Sequence, residues 1–246
     1  MGAPRTTEVA GGVHFVEGEH VNWTLLVEGG ALTLVDSGYP GDFPALRESV
    51  ERLGFRLGDI AAVLLTHAHV DHIGGLPALL SEVSAPVYAT APEAAHARRE
   101  FLQQATPWDI VSNAWRPGFL PWTLYLLRAG ALKPVKVPSA QEFPTPLDVP
   151  GSPVPVPTPG HTSGHCAYHL PGSGAVITGD TLVTAHPTSR VDGPQLLRPF
   201  FSHDQAATVA ALDTLAGLDA SVILPGHGPV VRQPIADAAQ HARNLL

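Results

Sequence analysis

Three histidines and one aspartate crowd into six consecutive positions: His67, His69, Asp71 and His72. Burying imidazole and carboxylate groups without partners is unfavourable, so a compact loop that carries four of them needs something to satisfy them. A metal ion does this, because neutral imidazole nitrogen and carboxylate oxygen are ligands for zinc and also for iron and manganese. One isolated histidine would carry little weight, but this density predicts a metal site.

The residues on either side of the cluster predict where it lies in a fold. Ala61 to Leu65 form an apolar run that is short enough to be a buried strand. After the cluster come two glycines and then a helix-compatible apolar segment, Leu76 to Val83. In α/β folds, ligands bind at the edge of the sheet where strands end and helices begin. The cluster therefore occupies a position where binding sites commonly form.

Other residues that can ligate a metal also follow predicted strands. His161 comes after a proline-rich extended segment at 144–159, Asp180 after a strand at 175–178, and His227 after a strand at 221–224. A composite metal site requires this recurrence of rigid strands followed by polar loops. Asp36 also ends a strand, at 31–35; it either orients a ligand loop by hydrogen bonding or simply forms a turn, and the sequence leaves both open.

The other predicted strands lie at 13–16, 23–27, 86–89 and 165–170, and the other helices at 44–53, 92–104, 202–218 and 234–246. Residues 105–139 differ, because they hold three of the four tryptophans among prolines and glycines. They form either an added helical hairpin or a lid that walls a substrate site, with Phe119 and Trp122 as candidate substrate contacts. His186, six residues after Asp180 in a long loop, is a further candidate contact.

Composition narrows the classes of partner. The chain has 246 residues, 44% hydrophobic and 15% charged, which is typical of a globular protein. Its net charge is −8 and it has no basic run, which weighs against a nucleic-acid substrate. The single cysteine excludes an intramolecular disulfide, the first ten residues hold no secretory signal, and no apolar stretch is long enough to span a membrane. We expect a cytoplasmic protein with a small-molecule substrate and no membrane partner; a homodimer is left open.

The ligand order resembles that of the metallo-β-lactamase-fold hydrolase superfamily: His67-x-His69-x-Asp71-His72, then His161, Asp180 and His227. Asp36 before Ser37 and Gly38 is similar to the early motif of the same family. The resemblance runs from about Gly12 to Pro229. It implies an α/β fold, the four-layer αβ/βα sandwich of that family, as one domain over residues 1–246 with a helical, aromatic-rich insertion at about 105–139.

The resemblance also implies two divalent metal ions, with zinc as the first expectation and manganese, iron or cobalt as alternatives. His67, His69 and His161 would hold the first metal. Asp71, His72 and His227 would hold the second, and Asp180 would bridge both. Asp71 would also orient the nucleophile, a hydroxide bound by both metals, and shuttle a proton.

An aspartate at position 180 is similar to the lactonases, thioesterases and glyoxalase II-like members, whereas true β-lactamases generally carry Cys or Ser there. The expected function is therefore hydrolysis of an ester, lactone or thioester with an apolar acyl group. One alternative is a mononuclear iron oxidoreductase resembling persulfide dioxygenases. Others are β-lactam hydrolysis as a weak side activity and a metal-binding protein without catalysis.

Overall fold

Alternate side chains of the central strands enter different hydrophobic clusters, so these strands bury both faces. Val63 packs with one cluster, while its neighbours Ala62 and Leu64 pack with another. The second sheet alternates in the same way. Tyr168 and Ile177 pack in one cluster, while their chain neighbours Ala167 and Val176 pack in another. Strands of this kind must lie inside a layered structure.

The computed structural model describes residues 4–246. Residues 1–3, the start of the domain expected over residues 1–246, lie outside the described residues. The strands are β1 Arg5–Ala10, β2 Val13–Glu17, β3 Asn22–Glu28, β4 Ala31–Val35, β5 Ile60–Leu64, β6 Val87–Ala89, β7 Ala140–Glu142, β8 Val154–Pro157, β9 Cys166–Leu170, β10 Ala175–Gly179, β11 Val222–Pro225 and β12 Val231–Arg232. The α-helices are α1 Phe43–Arg52, α2 Val70–Ile73, α3 Leu76–Glu82, α4 Ala91–Ala97, α5 Pro107–Asn113, α6 Phe119–Ala129, α7 Gln205–Ala216 and α8 Ile235–Asn244.

The strands form two mixed sheets. Seven strands make the first sheet in chain order, β1 to β7, and five make the second in the order β12-β11-β10-β9-β8. Strands β4 to β7 are parallel to one another, and so are β10 and β11. The carboxyl ends of neighbouring parallel strands therefore meet at one edge of each sheet.

Three hydrophobic clusters separate four layers. One lies between the first sheet and helices α1, α3 and α4, with Trp23, Leu34 and Leu46 among its members. The second lies between the two sheets. The third joins the second sheet to α7 and α8. The result is a helix–sheet–sheet–helix sandwich, the architecture that the family resemblance implies.

Residues 105–139 contribute α5 and α6, so the expectation of a helical hairpin holds. α6 docks through Tyr125 and Ala129, which form a small buried cluster with Val21 and Tyr39. Because α6 joins the body next to the His67–His72 loop through Tyr39, the hairpin borders the expected site.

Some predicted elements are corrected. The helix expected at 92–104 ends at Ala97, because Arg99 adopts a left-handed φ of 56°. The Arg99 guanidinium donates to the carbonyls of Val135 and Ala68, which holds this turn in place. Strands β1, β7 and β12 were not predicted; β7 and β12 have only three and two residues. Over the described residues, no helix combines the length and apolarity that crossing a bilayer requires.

Candidate metal centre

Seven polar side chains converge at the edge where the parallel strands end. His67 and His69 follow β5, Asp71 and His72 lie on the single turn α2, and His161 lies between β8 and β9. Asp180 immediately follows β10 and His227 lies just after β11. They are the seven candidate ligands named from the sequence: His67, His69, Asp71, His72, His161, Asp180 and His227.

Three histidines form the first group. Nδ1 of His69 lies 3.1 Å from Nε2 of His67 and 3.0 Å from Nε2 of His161. The three ligand atoms all lie within 4.8 Å of one another. This is a compact arrangement of three nitrogen ligands that could hold one metal ion.

Asp71, His72 and His227 form the second group. Nε2 of His227 is 3.5 Å from Oδ2 of Asp71, and Nε2 of His72 is 4.0 Å from the same oxygen. Asp180 lies between the groups, because its Oδ2 is 3.5 Å from Nε2 of His161 and 3.2 Å from Nε2 of His227. Its position suits a ligand shared by two ions.

Hydrogen bonds on the outer side of the rings fix which nitrogen faces inward. Nε2 of His69 donates to the carbonyl of Gln103 at 2.6 Å, and Nδ1 of His227 donates to the carbonyl of His20 at 2.6 Å. Carbonyl oxygens only accept, so these nitrogens carry hydrogens, and the inward nitrogen of each ring carries the lone pair whenever the ring is neutral. Such outer partners are a regular feature of histidines that ligate metals.

Asp36 supplies the matching partner for His72. Its Oδ2 accepts from Nδ1 of His72 at 2.8 Å, and its two oxygens accept from the amide and hydroxyl of Thr66. Asp36 also turns the chain, with a left-handed φ of 62°. The sequence left open whether Asp36 orients a ligand loop or forms a turn, and in the structure it does both.

Burial and neighbouring charges set the protonation of the cluster. Burial lowers the pKa of His69 to about 4 and holds the pKa values of His67 and His161 well below 6.5. Burial acts in the same direction on His227, but Asp180 and Asp71 outweigh it and raise its pKa to about 10. The first group is therefore neutral near pH 7, while the second carries positive charge that balances its carboxylates.

Unsatisfied buried atoms test whether this cluster fits a metal. Nε2 of His72 and Oδ1 of Asp180 are buried, and neither has a hydrogen-bond partner among residues 4–246. Such atoms are rare unless an ion or water satisfies them. A Cβ at Gly226 would collide with Oδ1 of Asp180, so this glycine permits the close packing of the centre. The donor set fits divalent metal ions.

Glu93 is a site residue that sequence reasoning missed. This fully buried carboxylate accepts hydrogen bonds from the amides of Ala68 and Gly164, from Nδ1 of His96 and from the hydroxyl of Thr162. It thereby ties the loop of His67 and His69 to the loop of His161. An acid in the first turn of a helix carries no signal of this role, because such residues usually interact with the helix end.

His165 is a second missed residue. Its Nε2 accepts from the amide of Asp180 at 3.0 Å, and its Nδ1 lies within 3.0 Å of the hydroxyls of Thr158 and Thr181. The ring therefore positions the backbone that presents Asp180. Its place four residues after His161 was the only available signal.

A cavity of about 330 Å³ opens over this cluster of candidate ligands. Its wall is largely apolar and comes from α5, α6 and the loop after β10, with Ile110, Trp122, Leu126, Leu197 and Phe201 among its residues. Two of the three candidate substrate contacts, Trp122 and His186, line the cavity. Phe119 is absent from the lining; it is fully buried and packs edge-on against Trp122, supporting the wall from behind.

His186 is a neutral polar group of this wall, since burial lowers its pKa to about 3. Its Nδ1 accepts from the amide of Thr188 at 3.2 Å, so its hydrogen is on Nε2. Nε2 has no hydrogen-bond partner among the described residues. The ring lies 5.1 Å from the ring of His227. A hydrogen-bond donor is thus available beside the second ligand group.

Comparisons with known proteins agree with this geometry. A family model described as the metallo-beta-lactamase superfamily matches residues 16–227. The probable metallo-hydrolase YflN of Bacillus subtilis is 26% identical over 242 residues, covering 90% of this chain and 85% of that protein. A hydroxyacylglutathione hydrolase of Fuscovulum blasticum is 31% identical over 156 residues, covering 63% of this chain and 45% of that protein.

Solved structures agree on the fold. A metallo-beta-lactamase from Cronobacter sakazakii superposes with a TM-score of 0.68 at 19% identity, covering 100% of this chain and 95% of that one. The subclass B3 metallo-beta-lactamase MEM-A1, from a soil metagenome library, superposes with a TM-score of 0.63 at 18% identity, covering 98% and 94%. At these identities the likeness extends to the architecture alone.

Proposed function

The chain belongs to the metallo-beta-lactamase superfamily, and from this premise we propose that it is a hydrolase with two divalent metal ions that cleaves an ester, lactone or thioester. The observation that carries this proposal is the orientation of the histidines. Outer hydrogen bonds direct the inner nitrogens of His69, His72 and His227 toward the same small volume, where a bound metal would displace any proton they carry. Zinc suits this mainly nitrogen donor set, and manganese, iron and cobalt can use the same ligands.

When bound here, divalent metals would lower the pKa of water so that hydroxide is available near neutral pH, and would polarise a substrate carbonyl. The ligands would be His67, His69 and His161 for one ion and Asp71, His72 and His227 for the other, with Asp180 shared. Asp71 is held in turn by the hydroxyl of Tyr39, 3.4 Å from its Oδ2. Asp71 is therefore positioned to accept a proton from the nucleophile and to pass it on.

The cavity supports an apolar acyl group as the substrate moiety. An acyl chain would pack against Trp122, Leu126 and Ile110, since burial of apolar area provides most of the binding energy in such a site. The Nε2 hydrogen of His186 would be donated to the substrate carbonyl oxygen, where negative charge develops during attack. A neutral imidazole donates this hydrogen bond without transferring its proton.

Names of the relatives support the thioester branch of the proposal. Several relatives are hydroxyacylglutathione hydrolases, a name that denotes hydrolysis of an acyl-glutathione. A mononuclear iron oxidoreductase would need only the first histidine group, and the presence of Asp71, His72 and His227 in one cluster speaks against it. β-Lactam hydrolysis is expected only as a weak side activity, and the same assays would measure it.

The test combines metal analysis with a substrate panel. The purified chain, loaded with zinc, should retain about two ions after desalting and should hydrolyse at least one class among lactones, acyl thioesters and aryl esters. A β-lactam belongs in the panel as a comparison. Failure on all three classes by a protein that holds its metals would contradict the substrate class. In chain purified without added metal, about one iron per chain with oxygen uptake would favour the oxidoreductase.

A further inference from the structure

The outer surface of the α5–α6 hairpin carries two rows of exposed apolar side chains. Leu120, Leu124 and Leu127 recur along α6 at the spacing of one helix face. Trp108 and Val111 in α5, followed by Trp115, have a similar spacing. All six are between 54% and 77% exposed. We call this set the hairpin face.

Single exposed apolar residues are normal on protein surfaces. A group of six on two helices that pack together is different, because contiguous apolar patches usually mark contacts with proteins or membranes. Two tryptophans at 74% and 77% exposure are the most unusual members. The hairpin face is therefore suited to an apolar partner.

The hairpin face is continuous with the mouth of the cavity. Val111 and Leu127 belong to it and also line the cavity above the metal ligands. Leu132, which lines the cavity too, is 77% exposed. A partner that covers the hairpin face would therefore lie beside the cavity entrance.

Basic residues accompany this apolar surface in an otherwise acidic chain. Residues 105–139 contain four basic residues and one acidic residue, while the whole chain has a net charge of −8. The Arg116 guanidinium lies 4.8 Å from the centre of the Trp115 ring. Arg116 and Arg190 lie near Arg198, where they add to burial in lowering its pKa. Across residues 4–246, none of these three arginines forms an ion pair.

This charge distribution discriminates between partners. A second copy of the chain on a two-fold axis would bring the same patch against itself, and its unpaired arginines would face one another. Like charges brought together oppose association. A surface that is apolar inside and anionic outside satisfies both the tryptophans and the arginines. Tryptophan with arginine is the combination enriched where proteins meet the headgroups of a bilayer.

We propose that the hairpin face docks on a phospholipid bilayer that contains anionic lipid, with Trp108 and Trp115 inserted at headgroup depth and Arg116 and Arg190 beside anionic headgroups. From the sequence we expect no membrane partner, because no apolar stretch is long enough to span a bilayer. Docking on the membrane surface needs no such segment. The cavity mouth then opens next to the lipid, which would give an amphiphilic substrate a short path to the metal ligands. The docking itself does not depend on the proposed hydrolysis.

The test is flotation of the metal-loaded full chain with vesicles of phosphatidylcholine alone or mixed with phosphatidylglycerol. We expect stronger binding to the mixed vesicles, weakened by added salt, and a blue shift of tryptophan fluorescence on binding. The double variant Trp108→Ser, Trp115→Ser should bind roughly 10- to 100-fold more weakly, because it removes two apolar side chains from the lipid contact. Arg116→Gln with Arg190→Gln should reduce the preference for anionic vesicles.

The matched control removes exposed apolar residues elsewhere. Leu245→Ser with Leu246→Ser at the C-terminus should leave vesicle binding unchanged. The proposal would be overturned if the chain bound neither type of vesicle. It would also be overturned if the tryptophan variant bound vesicles as tightly as the unaltered chain does. A dimer in light scattering that the tryptophan substitutions dissociate, without vesicle binding, would assign the hairpin face to a second copy and would also overturn it. No arm measures catalysis, so failure of the proposed function leaves the result interpretable.

Discussion

Nδ1 of His69 lies 3.0 Å from Nε2 of His161, although 92 residues separate them along the chain. The outer nitrogen of His69 already donates to Gln103, so Nδ1 presents a lone pair. Nε2 of His67 lies 3.1 Å from that same atom. Three nitrogens packed this closely, on rings whose pKa values burial lowers, form a donor set that fits a shared cation.

Replacing the shared ligand should remove both metal and activity. Asp180→Ala deletes the carboxylate that lies between the two ligand groups, so we expect loss of at least one ion per chain and of detectable turnover. Mass spectrometry of the native protein and the substrate panel would measure both. The control is Asp213→Ala, an exposed acid in α7 paired with Arg243, which should retain both. A fully active Asp180→Ala variant would refute the shared-ligand assignment.

Glu93 is expected to control metal affinity without touching the metal. In Glu93→Gln one acceptor oxygen is replaced by a donor, so at least one of the four hydrogen bonds to this carboxylate is lost. We expect metal affinity to fall roughly 10- to 100-fold and the free energy of unfolding to fall by about 1–3 kcal/mol.

Chelator competition, with unfolding measured in parallel, would test this role. Glu142→Gln, at an exposed position of β7, is the matched control and should change neither quantity. If Glu93→Gln loses stability but binds zinc as tightly as the unaltered chain, Glu93 supports the fold alone and the positioning role is wrong.

His186 is expected to affect the chemical step. His186→Phe keeps an aromatic ring beside Trp122 and Phe201 but removes the Nε2 donor. On the best substrate of the panel, kcat/KM should fall by about 10²- to 10³-fold, mainly through kcat, with the metal content unchanged. His186→Gln retains an N–H donor and should recover part of the loss. Unchanged kcat in His186→Phe would show that the substrate oxygen is bound elsewhere.

Asp42 should give the protein a pH-dependent stability. Burial raises its pKa from 3.8 to about 6, so the folded state binds this proton more tightly than the unfolded state does. Stability therefore falls as pH rises between these values and stays lower above about 6. Asp42→Asn cannot ionise, and its amide oxygen can still accept from the amide of Tyr39, as Asp42 does at 2.9 Å.

Urea unfolding of the metal-free protein between pH 4 and pH 7.5 would measure this effect. Relative to the unaltered chain, Asp42→Asn should gain stability with rising pH, by up to about 3 kcal/mol, since each pKa unit corresponds to about 1.4 kcal/mol. A stability difference that does not change with pH would mean that Asp42 ionises normally in the folded state.

The candidate metal ligands, which the structure brings together, and the central strands could be predicted from the sequence because both leave local signals. Ligand types cluster or follow apolar runs, and β9, β10 and β11 are short runs rich in apolar residues bounded by turns. Asp36 could be noticed for the same reason, although its bond to His72 joins residues 36 positions apart.

The missed features depend on contacts between distant segments. Arg99 ends α4 through carbonyls at positions 68 and 135, which no local pattern reveals. Glu93 acts through residues 25 to 71 positions away, apart from His96. Phe119 and Trp122 are both aromatic residues of the same segment, and the sequence does not distinguish them. In the structure, α6 directs Phe119 toward the interior and Trp122 toward the cavity. Helix orientation against the body decided this, and the sequence alone does not specify it.

Anomalous diffraction from a crystal of the zinc-loaded chain, collected at the zinc absorption edge, would locate the metal ions. We expect two peaks, one surrounded by His67, His69 and His161 and the other by Asp71, His72 and His227, with Asp180 contacting both. A single peak at the first group would contradict the two-metal centre. Peaks outside this cluster, with the seven side chains free of metal, would contradict the account as a whole.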